Sequence, residues 1–385
     1  MTERPNAIAL AGFAALAVAM GIGRFAFTPI LPVMQGEGSI DLAEGGWLAS
    51  ANYVGYLAGG LSAMRLRTSP RDGIRAGLVA VGLSTLAMGL THAMWAWLAL
   101  RGIAGVASAW VLVFASAWCL EQFQAHASTA RNALLGATLF AGVGAGIAAA
   151  GVACALLQIA GTPAAQAWIV LGAASLLVAA WIWNRFGDNV TRAPDARRDT
   201  KGWSAESTRL AACYGAFGFG YIIPATFLAA MARDAFPDPA VYGWSWPLFG
   251  AAAAASTFTA AAWRGVSARA LWIAGHAVMA VGVTIPLAVA GLGGIIASAL
   301  LVGGTFMVVT MAGMQEARRV AGPNARRLIA AMTSCFAVGQ IAGPLTAGLL
   351  AARGCGFAPA LGLAAAALVA SAFTLAIHFP HPRTS

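Results

Sequence analysis

The sequence carries little charge: only 9% of its 385 residues are Asp, Glu, Lys or Arg, whereas about a quarter are charged in typical soluble domains. Lysine occurs once, as Lys201, although the formal net charge is +10. Sixty per cent of the residues are hydrophobic. This composition excludes a soluble globular domain and indicates a protein that is embedded in lipid.

Motifs of enzymes and of ATP-driven pumps are absent from the sequence. There is no Gly-x-x-x-x-Gly-Lys-Ser/Thr loop for nucleotide phosphates, no His-Glu-x-x-His and no Gly-x-Ser-x-Gly. The five histidines and five cysteines are scattered at no metal-ligand spacing. We therefore predict no catalytic activity, no cofactor, no metal site and no disulfide framework.

Hydrophobic runs bounded by charge, Gly or Pro predict an all-α membrane protein with twelve transmembrane helices. About 20 apolar residues are needed to cross a hydrocarbon core of about 30 Å. The 46 glycines suit closely packed membrane helices better than the alternating strands of a porin. The spans are expected at about residues 7–34, 43–64, 74–91, 94–121, 131–159, 165–186, 207–233, 241–262, 269–290, 292–318, 326–352 and 357–379.

Basic residues fall in alternate loops, which gives the orientation of the chain. Nineteen Arg and Lys residues lie on the side that holds the N-terminus, against only Arg233 and Arg353 on the other side. By the positive-inside rule, both termini are cytoplasmic in a multi-pass protein of the bacterial inner membrane. Because the basic residues follow the loops, we expect no nucleic-acid partner. We further expect a monomer that is surrounded by lipid.

An internal repeat relates the two halves of the chain. A single offset of 197 residues pairs Gly21 and Gly23 with Gly218 and Gly220, Met34 with Met231, Gly46-Trp47 with Gly243-Trp244, and Gly142 and Gly146 with Gly339 and Gly343. Parallel repeats of this kind are typical of transporters. We predict two pseudo-symmetric six-helix bundles, 1–186 and 207–385, joined by a polar cytoplasmic linker, 187–206, and enclosing a central cavity.

Two arginines interrupt the apolar runs. Arg24 lies near the middle of the first span, and an arginine at the membrane centre costs roughly 2.5–3.5 kcal/mol on insertion scales, so it usually marks a pathway or site. The alternative is a structural arginine that bonds carbonyls freed by Pro29 and Pro32. Arg101, in the fourth span, either faces packed protein or extends to the lipid headgroups. No carboxylate lies mid-span, which favours an anionic solute that supplies the countercharge.

Polar and aromatic residues at mid-depth are candidates for the cavity lining. Asn52 and Tyr56 share a helix face, and the offset of 197 pairs Arg24 with Tyr221. The predicted binding or coupling residues are Arg24, Tyr221, Asn52, Tyr56, Arg101 and Gln340. Further lining candidates are Tyr53, Tyr214, Trp244 and Trp246, while His276 is expected to be a satisfied core histidine.

Small residues within the helices and a charged residue at a helix end complete the set of candidates. Close helix packing, or a hinge for alternating access, is expected at Gly142 and Gly146 on helix 5 and at Gly339, Gly343 and Pro344 on helix 11. Glu316, at the inner end of helix 10, is expected to form a solvated ion pair near Arg318.

The sequence resembles the major facilitator superfamily over nearly its whole length. Arg101-Gly-Ile-Ala-Gly105 resembles the helix 4 signature of that superfamily. Gly21-Ile-Gly-Arg-Phe-Ala-Phe-Thr-Pro-Ile-Leu-Pro-Val-Met34, followed by Gly46-Trp-Leu-Ala-Ser-Ala-Asn-Tyr-Val-Gly-Tyr-Leu57, is similar to its YbfB/YjiJ branch. The loop signature departs from the superfamily pattern, because no acidic residue lies between Gly59 and Arg65.

The resemblance implies a secondary active transporter of a small organic solute that works by rocking of two bundles around a central site. The two mid-span arginines, Arg24 and Arg101, favour an anionic solute. A proton or counter-ion is expected as the coupling partner. Two alternatives stay open: an efflux pump for amphipathic drug-like compounds, and a non-transporting membrane receptor.

Overall fold

A computed structural model describes residues 5–63, 65–66, 68–126, 129–187, 203–236, 238–262, 265–322 and 325–377. Over these ranges the chain is helical and contains no strand. The α-helices are α1 (Pro5–Leu16), α2 (Phe27–Gly36), α3 (Leu42–Ala63), α4 (Pro70–Met88), α5 (Met94–His126), α6 (Thr129–Ile159), α7 (Ala164–Trp181), α8 (Ala205–Ala235), α9 (Pro239–Tyr242), α10 (Ser245–Ala262), α11 (Ala268–Ala288), α12 (Leu292–Ala321), α13 (Ala325–Ala352) and α14 (Ala358–Ala376).

Within the described ranges, nine segments are long and apolar enough to span a membrane by length and composition. They are α5, α6, α7, α8, α11, α12, α13, α14 and a continuous first segment, Pro5–Gly36, which contains α1 and α2. The other three predicted spans correspond to α3, α4 and α10, which are 18 to 22 residues long but less apolar. Charges at the start of α4 and hydroxyl side chains in α10 explain their lower hydropathy.

The sixth predicted span is shorter than expected. It was expected to reach residue 186, but α7 ends at Trp181 and the next residues form turns. The Arg75 guanidinium donates to the Trp183 carbonyl from Nε at 2.9 Å and from Nη2 at 2.7 Å, and it stacks on the Trp183 ring at 4.6 Å. Since this carbonyl bonds a side chain of another helix, the backbone leaves the helical path here.

The same set of helix contacts occurs in both halves of the chain. In the first half, α1 packs on α6, α3 and α4 pack on α5, and α4 packs on α7. In the second half the equivalent contacts are α8 with α13, α10 and α11 with α12, and α11 with α14. This repetition agrees with the offset of 197 residues and makes the fold two pseudo-symmetric bundles. The linker predicted at 187–206 lies outside the described residues over positions 188–202, so its boundaries stay a prediction.

The repeat axis passes between the first spans of the two halves. Thr28 Oγ1 donates to the carbonyl of Ala225 at 2.7 Å, and these two residues are 197 positions apart. Each residue therefore lies next to its own repeat equivalent, which places α2 and α8 face to face at the axis. Nearby, Arg233 donates to the carbonyl of Pro32.

Several contacts between the halves lie at mid-depth or towards the membrane face opposite the termini. Twelve crossings bring both ends of the chain to one face, which we call the terminal face. Far from it, a Cβ on Gly46 would meet the carbonyl oxygen of Pro344 at 2.7 Å, and Gly151 contacts Pro247. At mid-depth, Ser50 Oγ donates to the Ile341 carbonyl at 3.0 Å. The halves are thus sealed together on the side away from the termini.

Glu316 forms a different ion pair from the one expected. Its side chain is fully buried, and it accepts hydrogen bonds from Arg269 at 2.7 Å and from Arg319 at 2.7 and 2.8 Å, rather than from Arg318 in solvent. Arg269 also pairs with Glu206 at the start of α8. Because Arg269 lies on α11, its long side chain brings α8, α11 and α12 together, a tertiary contact that spacing along the chain did not reveal.

Substitution of Gly250 tests the contact of α6 with α10. No Cβ fits at this position, because the backbone of Gly144 and Ala148 fills the space. We expect Gly250→Ala to lower stability by about 1–3 kcal/mol through overpacking, measured as the thermal unfolding midpoint in detergent. Gly304→Ala is the matched control, since Gly304 faces open space within α12. It should be neutral or stabilising by about 0.5–1 kcal/mol, and an equal loss in both variants would contradict the close contact.

Candidate substrate-binding site

The first span is interrupted at mid-depth, and Arg24 lies at the interruption. Residues Ala17–Ile22 form a π-helix, and turns at positions 23–26 separate it from α2. The N–H of Gly23 bonds the carbonyl of Val18 at 3.0 Å, and that of Phe25 bonds Met20 at 3.1 Å, both five residues back. A Cβ on Gly21 would meet the backbone of Gly146, so glycine here permits the close approach of α6. Such π-helical segments often occur at functional sites.

Two buried side chains hold the interrupted backbone. Asn52 Nδ2 donates to the carbonyls of Gly23 at 3.1 Å and of Arg101 at 2.9 Å. Arg101 Nη1 and Nη2 donate to the carbonyls of Gly23 at 3.4 Å and Arg24 at 3.0 Å. These contacts satisfy carbonyls that the broken helix leaves free, which is a requirement in the membrane interior.

These contacts decide between the two interpretations of Arg101. The residue is 2% exposed, and its guanidinium lies over the Phe27 ring at 5.1 Å, so it does not extend to the headgroups. Asn52 is likewise fully buried, bonded to Gly23 in the turn before α2 and to Arg101 on α5. The carbonyls of Gly23 and Arg24 are thus bonded by Arg101 and Asn52.

Arg24 is surrounded by aromatic rings and is 2% exposed. Its Cζ lies 4.0 Å from the Tyr56 ring centre, 5.0 Å from that of Tyr53 and 5.2 Å from that of Phe25. Cation–π contacts of this kind stabilise a cation by about 0.5–2 kcal/mol. Nevertheless, Nε and Nη2 have no hydrogen-bond partner among the described residues. A buried cation with two free donors is therefore a candidate anion site.

The second half contributes Tyr221 and Gln340, which bond each other. Gln340 Nε2 donates to the Tyr221 hydroxyl, and both side chains are buried. The Tyr221 ring stacks on Phe306 at 4.8 Å and on Phe336 at 5.5 Å. Tyr221 lies on α8 about one turn before Thr226, whose hydroxyl is 3.3 Å from that of Tyr53 beside Arg24. The structure thus brings Arg24, Tyr56, Tyr221 and Gln340 to one region, while their roles in binding stay predictions.

Tyr53 connects the two halves beside Arg24. Its hydroxyl lies 3.3 Å from the Thr226 hydroxyl, and its ring covers one side of the Arg24 guanidinium. Sequence analysis named Tyr53 only as a further lining residue. The spacing of Tyr53 and Tyr56, three residues apart on one helix face, is a signal that pairs them. The contribution of Phe306 and Phe336 has no comparable signal, because it depends on the packing of three separate helices.

The remaining candidates have structural surroundings. Trp246 is buried and stacks on Phe249 at 4.8 Å, whereas Trp244 is 43% exposed. The indole N–H of Trp272 donates to Nε2 of the buried His276 at 3.0 Å, while His276 Nδ1 has no partner among the described residues. His276 is thus a core histidine that is satisfied at one nitrogen.

The predicted glycines lie where helix backbones touch. Gly142 and Gly146 pack against the carbonyls of Phe13 and Ala17, and Gly339 packs against Gly215. Gly343 contacts Ile222. All four contacts lie within a half, whereas the Pro344 carbonyl meets Gly46 across the halves. Close packing is therefore observed, and a role of these residues in gating stays a prediction.

A groove of about 640 Å³ opens on the flank of the first half. It is lined by residues of α3 and α5 with Ile341 and Leu345 of α13, and exposed hydrophobic side chains such as Val54 and Ile103 mark it as lipid-facing. None of the six predicted binding residues lines it. The groove is therefore distinct from the site at Arg24.

Comparison with known families supports a transporter. The sequence profile of a family described as "Uncharacterised MFS-type transporter YbfB" matches residues 16–376. The match covers both halves, including every candidate residue. No match was found among curated proteins.

The two buried arginines are expected to differ in their effect on stability. Arg101→Met leaves the Arg24 carbonyl without a donor, while the Gly23 carbonyl keeps its bond from Asn52, so it should lower stability by about 1–3 kcal/mol. Arg24→Met removes a cation whose Nε and Nη2 lack partners, so the empty protein should be equally or more stable. Thermal unfolding of both variants in detergent measures this contrast. Equal destabilisation would make Arg24 a structural residue.

Proposed function

Because the chain belongs to the YbfB-type family of major facilitator transporters, we propose that it is a secondary carrier that moves a small organic anion across the bacterial inner membrane. Arg24 binds the anion, and Tyr56, Tyr221 and Gln340 complete the site. The free Nε and Nη2 of Arg24 carry this proposal. An arginine at this depth costs several kcal/mol, and an anionic solute recovers part of that cost by pairing with the guanidinium.

The arrangement of the halves supports alternating access. Several contacts between them, such as Thr28 with Ala225 and Ser50 with Ile341, lie at mid-depth or away from the termini. With cytoplasmic termini, this is the form that is closed to the outside. Breaking these contacts while the halves close at the terminal face exposes Arg24 to the other side, and a proton or counter-ion is the proposed coupling partner.

One alternative function has an observation in its favour. The apolar groove on α3 and α5 faces lipid, which suits entry of an amphipathic compound from the membrane and hence an efflux pump. However, the groove offers no charged side chain to select a solute. A receptor that binds the solute without transporting it would use Arg24 in the same way. Only a measurement of solute flux distinguishes such a receptor from a carrier.

Substitution of Arg24 tests the carrier proposal. A thermal-shift screen of metabolites identifies a solute, and counterflow into proteoliposomes then measures its transport. Arg24→Ala should abolish flux, and Arg24→Lys should restore only part of it, because an ammonium lacks the two parallel donors of a guanidinium.

Arg353→Ala is the control for loss of one positive charge, since Arg353 lies exposed in the loop between α13 and α14. It should transport normally. Near-normal flux in Arg24→Ala would return Arg24 to a structural role, and saturable binding with no flux in the native protein would favour the receptor.

The proposed orientation is open to test through a native cysteine. Cys355 is exposed in the loop after α13, whereas Cys119, Cys154 and Cys213 are buried. If both termini are cytoplasmic, a membrane-impermeant maleimide should label Cys355 in intact cells, and Cys355→Ser should remove this labelling. Labelling that requires permeabilised cells would place Cys355 in the cytoplasm and contradict cytoplasmic termini.

A further inference from the structure

One edge of the buried Arg24 guanidinium makes no hydrogen bond within the described part of the chain. Nε and Nη2, the two atoms without partners among the described residues, are the pair whose N–H bonds point in parallel away from the side chain. Tyr56 lies against the guanidinium at 4.0 Å, with Tyr53 and Phe25 at 5.0 and 5.2 Å. Two parallel N–H donors match the two oxygens of a carboxylate.

Among the described residues, one such edge is found at this depth. Arg24 and Arg101 are the two basic residues in the interior of the predicted spans, and Arg101 uses both Nη atoms on the carbonyls of Gly23 and Arg24, so only its Nε lacks a partner. A second carboxylate on the solute would therefore find no second pair of parallel N–H donors. The single unpaired edge, rather than the total charge of the two arginines, favours a solute with one carboxylate.

The walls beyond this edge are mainly aromatic. Tyr221 stacks between Phe306 and Phe336, with ring centres 4.8 and 5.5 Å away. Further along the same helix, Thr226 lies 3.3 Å from the hydroxyl of Tyr53, whose ring contacts Arg24. Tyr221 and Gln340 bond each other, and Gln340 Oε1 is the acceptor of this pair that lacks a partner among the described residues. A solute with many hydroxyl groups would leave several of them unpaired, at about 1–3 kcal/mol each, whereas a flat apolar body has no such groups to leave unpaired.

We propose, on the basis of the carrier function above, that the solute is a monocarboxylate with a flat apolar body. Its carboxylate accepts hydrogen bonds from Nε and Nη2 of Arg24, and its body meets the edge of the Tyr221 ring, because Phe306 and Phe336 cover the faces of that ring. The two halves of the chain thus recognise different ends of one molecule. This division explains why the repeat equivalent of an arginine is a tyrosine.

Calorimetric titration of the purified full chain in detergent tests the solute class. The probes are benzoate, phenylacetate and cinnamate, each with its neutral amide, together with terephthalate for a second charge and gluconate for a polar body. At least one flat monocarboxylate should bind about tenfold or more tightly than its amide, because charge-assisted hydrogen bonds are lost in the amide. Terephthalate and gluconate should bind more weakly.

Matched variants separate the carboxylate contact from the ring contact. Arg24→Lys should weaken binding of the best monocarboxylate about tenfold. Tyr221→Leu should weaken it about three- to tenfold through loss of the ring. Phe373→Leu is the control, since Phe373 is 70% exposed on α14, a helix that contributes no residue to the proposed site. The affinity of this variant should equal that of the native protein.

Three results would overturn the solute class: no binding of any of the three monocarboxylates, equal binding of the amides, or tighter binding of terephthalate or gluconate. Unchanged affinity in Arg24→Lys would overturn the proposed contact. Arg24-dependent flux of another kind of solute would refute this class and leave the carrier function intact. Binding of benzoate or its relatives without counterflow would instead support the site and refute the carrier.

Discussion

A buried cation at a break in the first span is the constraint on which the rest of the structure depends. The π-helical segment and turns before α2 leave carbonyls without helical partners, and Arg101 and Asn52 bond them. This support fixes the backbone of Arg24 while its own guanidinium keeps two free donors. One arginine therefore stabilises the interruption so that the other remains available for an anion.

The duplicated fold determines what faces that cation. The contact of Thr28 with Ala225 places repeat equivalents side by side at the axis. Arg24 consequently lies opposite the region of Tyr221 rather than opposite another charge. Aromatic contacts from α3, α8, α12 and α13 surround the pair. Close contacts of glycines at the interface bring the halves near enough for residues of both to reach one solute.

Most of the fold could be predicted from the sequence, because hydrophobic runs and charge-bearing loops locate membrane helices directly. The offset of 197 residues also singled out Tyr221 as a candidate. Arg24 was found because charge in an apolar run is rare. The roles of Asn52 and Arg101 could not be foreseen, since they depend on carbonyls freed by a local π-helix. The buried pairing of Glu316 with Arg269 likewise depends on three helices that meet only in the folded chain.

The most direct test of the anion site is an experimental map of the protein bound to 4-bromobenzoate, in which anomalous scattering locates the bromine. The account predicts a carboxylate about 3 Å from Nε and Nη2 of Arg24, with the bromine directed towards the Tyr221 ring. A bromine in the lipid-facing groove of α3 and α5, with the Arg24 edge unoccupied or bonded to protein, would contradict it.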